Sequence, residues 1–168
     1  MNNKLVLCIV LFGTILVSGC INSSIDNINE IMLEISNGIV EGDNYYNESV
    51  SAINSKHFDD ADRKANLAIK KFTKSKKNIL ETNKYYEGVN QTIYIEYLNL
   101  LEDEIDLKNN ASSNLLLASQ EYENKDIQAG NSYSQIANSK MNEAVEIQNQ
   151  RNNIVEDNPD LFKEFFYF

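Results

Sequence analysis

Apolar residues recur at intervals of three and four along most of the chain, the spacing that lays them on one face of an α-helix. A first stripe runs through Ile25, Ile28, Met32, Ile35, Ile39, Tyr46 and Ile53, weakened only at Gly42 and Ser49. A second follows through Phe58, Ala61, Ala65, Ala68, Phe72, Ile79 and Tyr86, and a third through Tyr94, Leu98, Leu101, Ile105, Leu115 and Tyr122. Ile127, Tyr133, Ala137, Met141, Ala144 and Ile154 mark a looser fourth. Nothing alternates with the period of a strand, and no Asn-Gly turn joins β-branched runs. The fold expected is all-α.

The stripes are separated where turn chemistry allows, at Asn54-Ser55-Lys56, Gly88-Val89-Asn90 and Asn124-Lys125-Asp126. Ser55 and Asn124 are candidate N-caps, because their side-chain oxygens can accept from free N–H groups at a helix start. Asn158-Pro159 stops the last helix, since the single proline of the chain cannot continue it. Short connections make successive helices antiparallel, so the expected architecture is an up-down-up-down four-helix bundle over residues 25–157. The segments around residues 54–68 and 123–137 align at a constant offset, with Lys56 matching Lys125, Phe58 matching Ile127 and Ala68 matching Ala137. The turn with Phe58, Ala61, Ala65 and Ala68 faintly resembles that of a tetratricopeptide repeat. Gly42-Asp43-Asn44 and Asn109-Asn110 could interrupt helices one and three. Full breaks there would give the alternative, six shorter helices in an open solenoid.

The net charge of −10 argues against a nucleic-acid partner, because such proteins carry a basic footprint. One basic run stands out: Arg63, Lys64, Lys70, Lys71, Lys74, Lys76 and Lys77. Antiparallel packing offers it neutralising neighbours. Folding helix two on helix one sets Arg63 and Lys64 level with Glu48, and Lys70 and Lys71 beside Glu41 and Asp43. Folding it on helix three brings Lys74, Lys76 and Lys77 to the height of Glu102, Asp103, Glu104 and Asp106. Exposed pairs of this kind contribute about 0–1 kcal/mol each, and mainly select one helix order over another.

The first residues carry a different signal. Residues 1–4 include Lys4, residues 5–17 hold no charged side chain, and Val17-Ser18-Gly19-Cys20 places small residues before a cysteine. An apolar run of that length reaches roughly 20 Å as a helix, too little for a hydrocarbon core of about 30 Å, and suits a secretory leader. The motif resembles the lipobox of prokaryotic lipoproteins. That resemblance implies cleavage before Cys20 and a diacylglyceryl group on its thiol, giving a leader over 1–19 and a lipidated tether over 20–24. The implied location is the extracytoplasmic face of the cell membrane. Two acyl chains hold a protein stably where one is marginal. With Cys8 removed, Cys20 would be the one cysteine left, and stability must come from packing.

A tether at Cys20 puts the start of helix one near the membrane and the turns at residues 55–57 and 124–126 at the far tip. Residues 158–168 return toward the membrane and carry Phe162, Phe165, Phe166, Tyr167 and Phe168. These aromatics are expected to cap the core near Tyr85 and Tyr86, with insertion at the lipid interface as the competing reading.

Candidate chemistry is sparse. His57 is the single histidine and falls in a turn, so the Glu-x-x-His pairs of helical di-metal sites are missing. Glu102, Asp103, Glu104 and Asp106 point around a helix rather than converging and read as a solvated face. No catalytic residue, metal site or cofactor is expected, and an enzyme is not. Asn22, Asn47, Asn90 and Asn110 begin Asn-x-Ser/Thr sequons, with Asn90 placed best in a turn. The expected function is a membrane-anchored binding or scaffold module that meets an envelope protein through its tip turns. The alternative is a sensor or carrier holding a small apolar ligand between helices, with Ala61, Ala65 and Ala68 leaving the space.

Overall fold

The computed structural model describes residues 3–89 and 91–162, with side-chain surroundings for 24–89 and 91–162. Among the described residues four α-helices follow one another: α1 (Asn3–Asn54), α2 (Phe58–Thr82), α3 (Thr92–Glu123) and α4 (Ile127–Asp157), with a 3-10 turn over Asn83–Gly88 between α2 and α3. The chain is an all-α, up-down helical bundle. α1 packs on α2, α2 on α3 and α3 on α4. The fourth side, between α1 and α4, is open and floored by α3.

Neither candidate interruption breaks a helix. α1 runs through Gly42-Asp43-Asn44 and α3 through Asn109-Asn110, so the six-helix solenoid does not form. Packing overrides weak propensity at Gly42, where the missing side chain admits the ring of Phe72 from α2. A Cβ built there would lie 2.5, 2.7 and 2.9 Å from three ring atoms of Phe72. Gly130 does the same for Tyr122 in the second hairpin, with a built Cβ 2.6 Å from two of its ring atoms.

Both hairpins turn through the same motif. Lys56 and Lys125 take left-handed conformations, at φ 59° and 67°. Beside Lys56, the His57 amide donates to the Ala52 carbonyl at 2.9 Å and the Lys56 amide to Ile53 at 2.9 Å. Beside Lys125, Asp126 donates to Glu121 at 2.9 Å and Lys125 to Tyr122 at 3.1 Å. This is the six-to-one and five-to-two pattern of a Schellman C-cap. The N-caps therefore each sit two residues beyond those expected. His57 precedes α2 with no side-chain cap, and Asp126 precedes α4, its Oδ1 accepting from the Ala129 amide at 2.9 Å. Ser55 and Asn124 instead lie in the C-terminal turns of α1 and α3, where the Schellman bonds leave no helix start for them to cap.

The offset relating Lys56 to Lys125 extends far past the turns. It carries Met32 onto Leu101, Tyr46 onto Leu115, Ala68 onto Ala137 and Phe72 onto Met141, and all but the last residue are buried. It also carries Ile35 onto Glu104, Ile39 onto Lys108 and Thr82 onto Arg151. The molecule is thus two helical hairpins of one pattern, the first holding two isoleucines and a threonine where the second carries charges.

The α1–α2 seam is close because its residues are small. Ala61, Ala65 and Ala68 are fully buried, Ser49 Oγ donates to the Ala61 carbonyl at 2.8 Å, and Ser75 Oγ to Ile35 at 3.3 Å. The small side chains of the alanine line allow these two helices to approach. Ile127, placed on the fourth stripe, is 58% exposed at the start of α4. Phe162 closes the base of the core, stacked 5.6 Å from Tyr94 and tilted 5.0 Å from Tyr97, and Tyr85 and Tyr86 pack against the same core cluster. Around Pro159 the described residues 158–162 form a turn, with the Leu161 amide donating to Asn158 at 3.0 Å. Residues 165–168 lie outside the described part.

Gly42→Ala should destabilise the protein by about 1–3 kcal/mol, because the new methyl meets a buried ring that cannot move freely. Urea unfolding followed by circular dichroism measures it, and an unchanged midpoint would remove the close approach from the account.

Candidate functional site

At the centre of the bundle, charges occupy positions that the first hairpin fills with isoleucine. Glu104 is 0% exposed and Lys108 2% exposed, one helical turn apart on the face of α3 that also carries Leu101 and Ala111. An isolated buried charge would cost several kcal/mol, so each needs a partner. Arg151 of α4 supplies Glu104's: its Nε donates to Glu104 Oε2 at 3.0 Å, and its Nη2 lies 3.0 Å from the same oxygen. The Arg151 Nη1 donates to the Tyr97 hydroxyl at 2.7 Å, and the guanidinium lies 5.2 Å from that ring's centroid, within cation–π range. Lys108 Nζ stands 3.1 Å from Glu104 Oε1, an ion-pair contact outside hydrogen-bond geometry, and donates to Asp43 Oδ2 of α1 at 2.6 Å. Asp43, Lys108, Glu104, Arg151 and Tyr97 thus form one chain across α1, α3 and α4, with its two carboxylates balanced by its two cations.

Burial sets the titration of the chain's ends. It pushes the Asp43 carboxyl above its ordinary 3.8, against the pull of Lys108. It likewise raises the Tyr97 phenol, opposed by the Arg151 charge. Burial alone would lower Arg151, but Tyr97 and Glu104 outweigh it and the net shift is upward, so the guanidinium stays charged. Nearby, the buried Tyr46 hydroxyl has no hydrogen-bond partner among the described residues, and desolvation pushes it up to about 12.

The network forms part of a cavity of about 310 Å³ in the open side of the bundle. Met32, Ile35, Ile39 and Leu101 make its apolar wall, and Leu33 and Val40, 48% and 57% exposed, line it from the open edge of α1. Asn29, Ser36, Asp43, Tyr97, Gln148 and Arg151 supply the polar lining. At the foot of the groove the Tyr94 hydroxyl donates to Asn29 Oδ1 at 2.9 Å. A second, shallow and polar depression lies at the tip, bordered by Asn44, Glu48, His57, Asp60 and Lys64.

The residues singled out in the sequence fare unevenly. The basic run is largely neutralised by ion pairs: Lys64 with Glu48, Lys71 with Glu41, and Lys76 with Asp106 at 2.6 Å. Lys74 turns to Glu34 of α1 at 3.3 Å rather than to α3, Arg63 pairs with Asp60 of its own helix, and Asp43 is taken by Lys108. Glu104 does not belong to a solvated face with Glu102 and Asp103; the geometry of α3 turns it inward. His57 is exposed. Of the sequons, Asn47 and Asn110 are exposed in mid-helix, but their serines are committed: Ser49 Oγ to Ala61 and Ser112 Oγ to the Lys108 carbonyl at 2.9 Å. Asn90 and the side chains of Asn22 and Cys20 lie outside the described part. Among the described residues, no group of three or more His, Cys, Asp or Glu is placed to hold a metal, and no helix is long and apolar enough to cross a membrane. Glu104, Lys108, Arg151 and Tyr97 were missed as a set, although Glu104 and Lys108 stand four apart between apolar positions of the third stripe.

Glu104→Ala should cost about 3–5 kcal/mol by leaving Arg151 buried without its anion and Lys108 with Asp43 alone, a loss read by chemical denaturation. Asp43 gives a pH signature. Its raised folded-state pKa means the native chain holds a proton that the unfolded chain releases, so stability falls as pH rises from the ordinary value through the raised one. Asn at this position does not titrate. The melting temperature of the wild type relative to Asp43→Asn should therefore rise between pH 7 and about pH 4; a constant difference would contradict the burial of this carboxyl.

Comparison with family models, with curated proteins and with solved structures gave no match.

Proposed function

We propose that the chain is a membrane-anchored surface lipoprotein whose helical domain is a non-catalytic binding or scaffold module, receiving its ligand in the groove between α1 and α4. The observation that carries the binding site is the open fourth side of the bundle, where an apolar wall and a set of polar groups share one cavity. Pockets of a few hundred Å³ with apolar walls and a few convergent polar groups are the usual form of a small-molecule site. The groove therefore favours the sensor or carrier form of the module. The tip turns, with the polar depression beside His57, remain the second candidate face, suited to an envelope protein because both turns lie at one end of the bundle and are exposed.

The anchor rests on the leader-like residues 5–17 and on Val17-Ser18-Gly19-Cys20. With Cys20 acylated, the foot of the groove near Asn29 would stand nearer the membrane than the end at Asp43. Intact-mass analysis of the protein from its own membranes tests the anchor. The expected mature chain begins at Cys20 and carries a diacylglyceryl group, whereas Cys20→Ser keeps its first 19 residues; a free thiol at Cys20 contradicts the proposal.

The groove is tested by native mass spectrometry of the same preparation. A small-molecule adduct is expected on the wild type and not on Val40→Trp, which fills the groove from an exposed position and should leave the fold intact. An adduct retained by Val40→Trp, or none on either, would remove the groove as the site.

A further inference from the structure

The cavity does not present a simple apolar surface, and its charges limit what it can hold. Arg151 is 13% exposed on its side chain and lines the cavity, while Glu104 behind it is fully buried. Asp43, on the facing helix, is 34% exposed and lines the same cavity, while Lys108 behind it is 2% exposed. The groove thus shows one cation and one anion, each already balanced from the protein side.

Arg151 retains donors for a ligand. A guanidinium has five N–H groups. Nε and one Nη1 N–H are used on Glu104 and Tyr97, and Nη2 leans on Glu104 alone. One N–H on each terminal nitrogen lies beyond these contacts. Asp43 Oδ2 accepts from Lys108 and keeps a second lone pair.

We propose that this cavity binds a zwitterionic small molecule with an apolar side chain, an apolar α-amino acid being the simplest. Its carboxylate meets the remaining N–H groups of Arg151, with the Gln148 amide beside them. Its ammonium meets Asp43 Oδ2, and its side chain lies on Met32, Ile35, Ile39 and Leu101. The balance of charge selects this class. A fatty acid or an alkylamine would bring one unmatched charge into a half-buried, already neutral site, whereas a zwitterion supplies both partners at once. The volume of about 310 Å³ is at the small end for a ligand pocket and accommodates a molecule of amino-acid size.

This inference rests on the groove being the binding site, and the test separates the two. The full-length chain in lipid nanodiscs is titrated calorimetrically with leucine, with 4-methylpentanoate, which lacks the amine, and with 3-methylbutylamine, which lacks the carboxylate. Leucine should bind, each single-charge analogue should bind about tenfold or more weakly, and Val40→Trp should abolish the leucine signal while melting as a folded bundle. Asp43→Asn should weaken leucine but strengthen 4-methylpentanoate, whose carboxylate then balances the charge the variant leaves unmatched, a split that a loss of folding would not produce. No leucine binding, equal binding of either analogue, or leucine binding by Val40→Trp would overturn the proposal. If leucine fails while the native adduct still depends on Val40, the zwitterion is wrong and the groove stands; if that adduct is also insensitive to Val40→Trp, the groove itself is wrong.

Discussion

The carboxylate of Glu104 is the constraint on which the arrangement of this bundle depends. It is enclosed at the centre, and only Lys108 and Arg151 keep its charge from being prohibitive. Each of those contacts ties down a helix. Arg151 fixes the height of α4 on α3, and Lys108, by reaching Asp43, fixes α1. The seams add position-specific contacts of their own, Gly42 admitting the Phe72 ring and Gly130 that of Tyr122. Sliding α4 by a turn would leave Glu104 and Arg151 buried apart, a penalty of several kcal/mol against a total stability of about 5–15 kcal/mol.

The same charges account for the open side. In the first hairpin, Ile35, Ile39 and Thr82 hold the places that Glu104, Lys108 and Arg151 take in the second. Had the second hairpin kept these uncharged residues, α1 and α4 could close over them. With Arg151 and Asp43 at the boundary, closure would bury two more partly hydrated charges. The groove therefore keeps its polar lining in contact with solvent, beside an apolar wall made by the isoleucines of α1. The two hairpins of one pattern thus differ in this charged set, and the line where they meet is the candidate site.

Much of this was legible in the chain, and the rest was hidden for identifiable reasons. The α1 stripe Ile28, Met32, Ile35, Ile39 and Tyr46 is buried as its spacing implies, because α1 buries mainly one face. α3 is different: it meets α2 on one side and α4 on the other, so Tyr97, Ser112, Ala118 and Ser119 are buried outside a single stripe. Buried serines were invisible for a related reason. Ser75 and Ser119 read as polar, yet each bonds a backbone carbonyl of a neighbouring helix, Ile35 and Phe58 respectively. Glu104 was obscured by Glu102, Asp103 and Asp106 around it. Its depth shows only when Lys108, four residues on, is set against Leu101 and Ile105 as members of one inward face. The groove could not be read from either helix alone, since it depends on Asp43 of α1 and Arg151 of α4 being brought to one boundary by the fold.

A double-mutant cycle between Glu104 and Arg151 tests the central claim most directly. Unfolding free energies are measured for wild type, Glu104→Gln, Arg151→Met and the double variant. The account predicts a coupling of about 1.5–3 kcal/mol, because either single change strands a charge in the core and the double change removes both. Additive effects within about 0.5 kcal/mol would show that the pair does not hold α4 in place, and would contradict the ionic origin assigned to the groove.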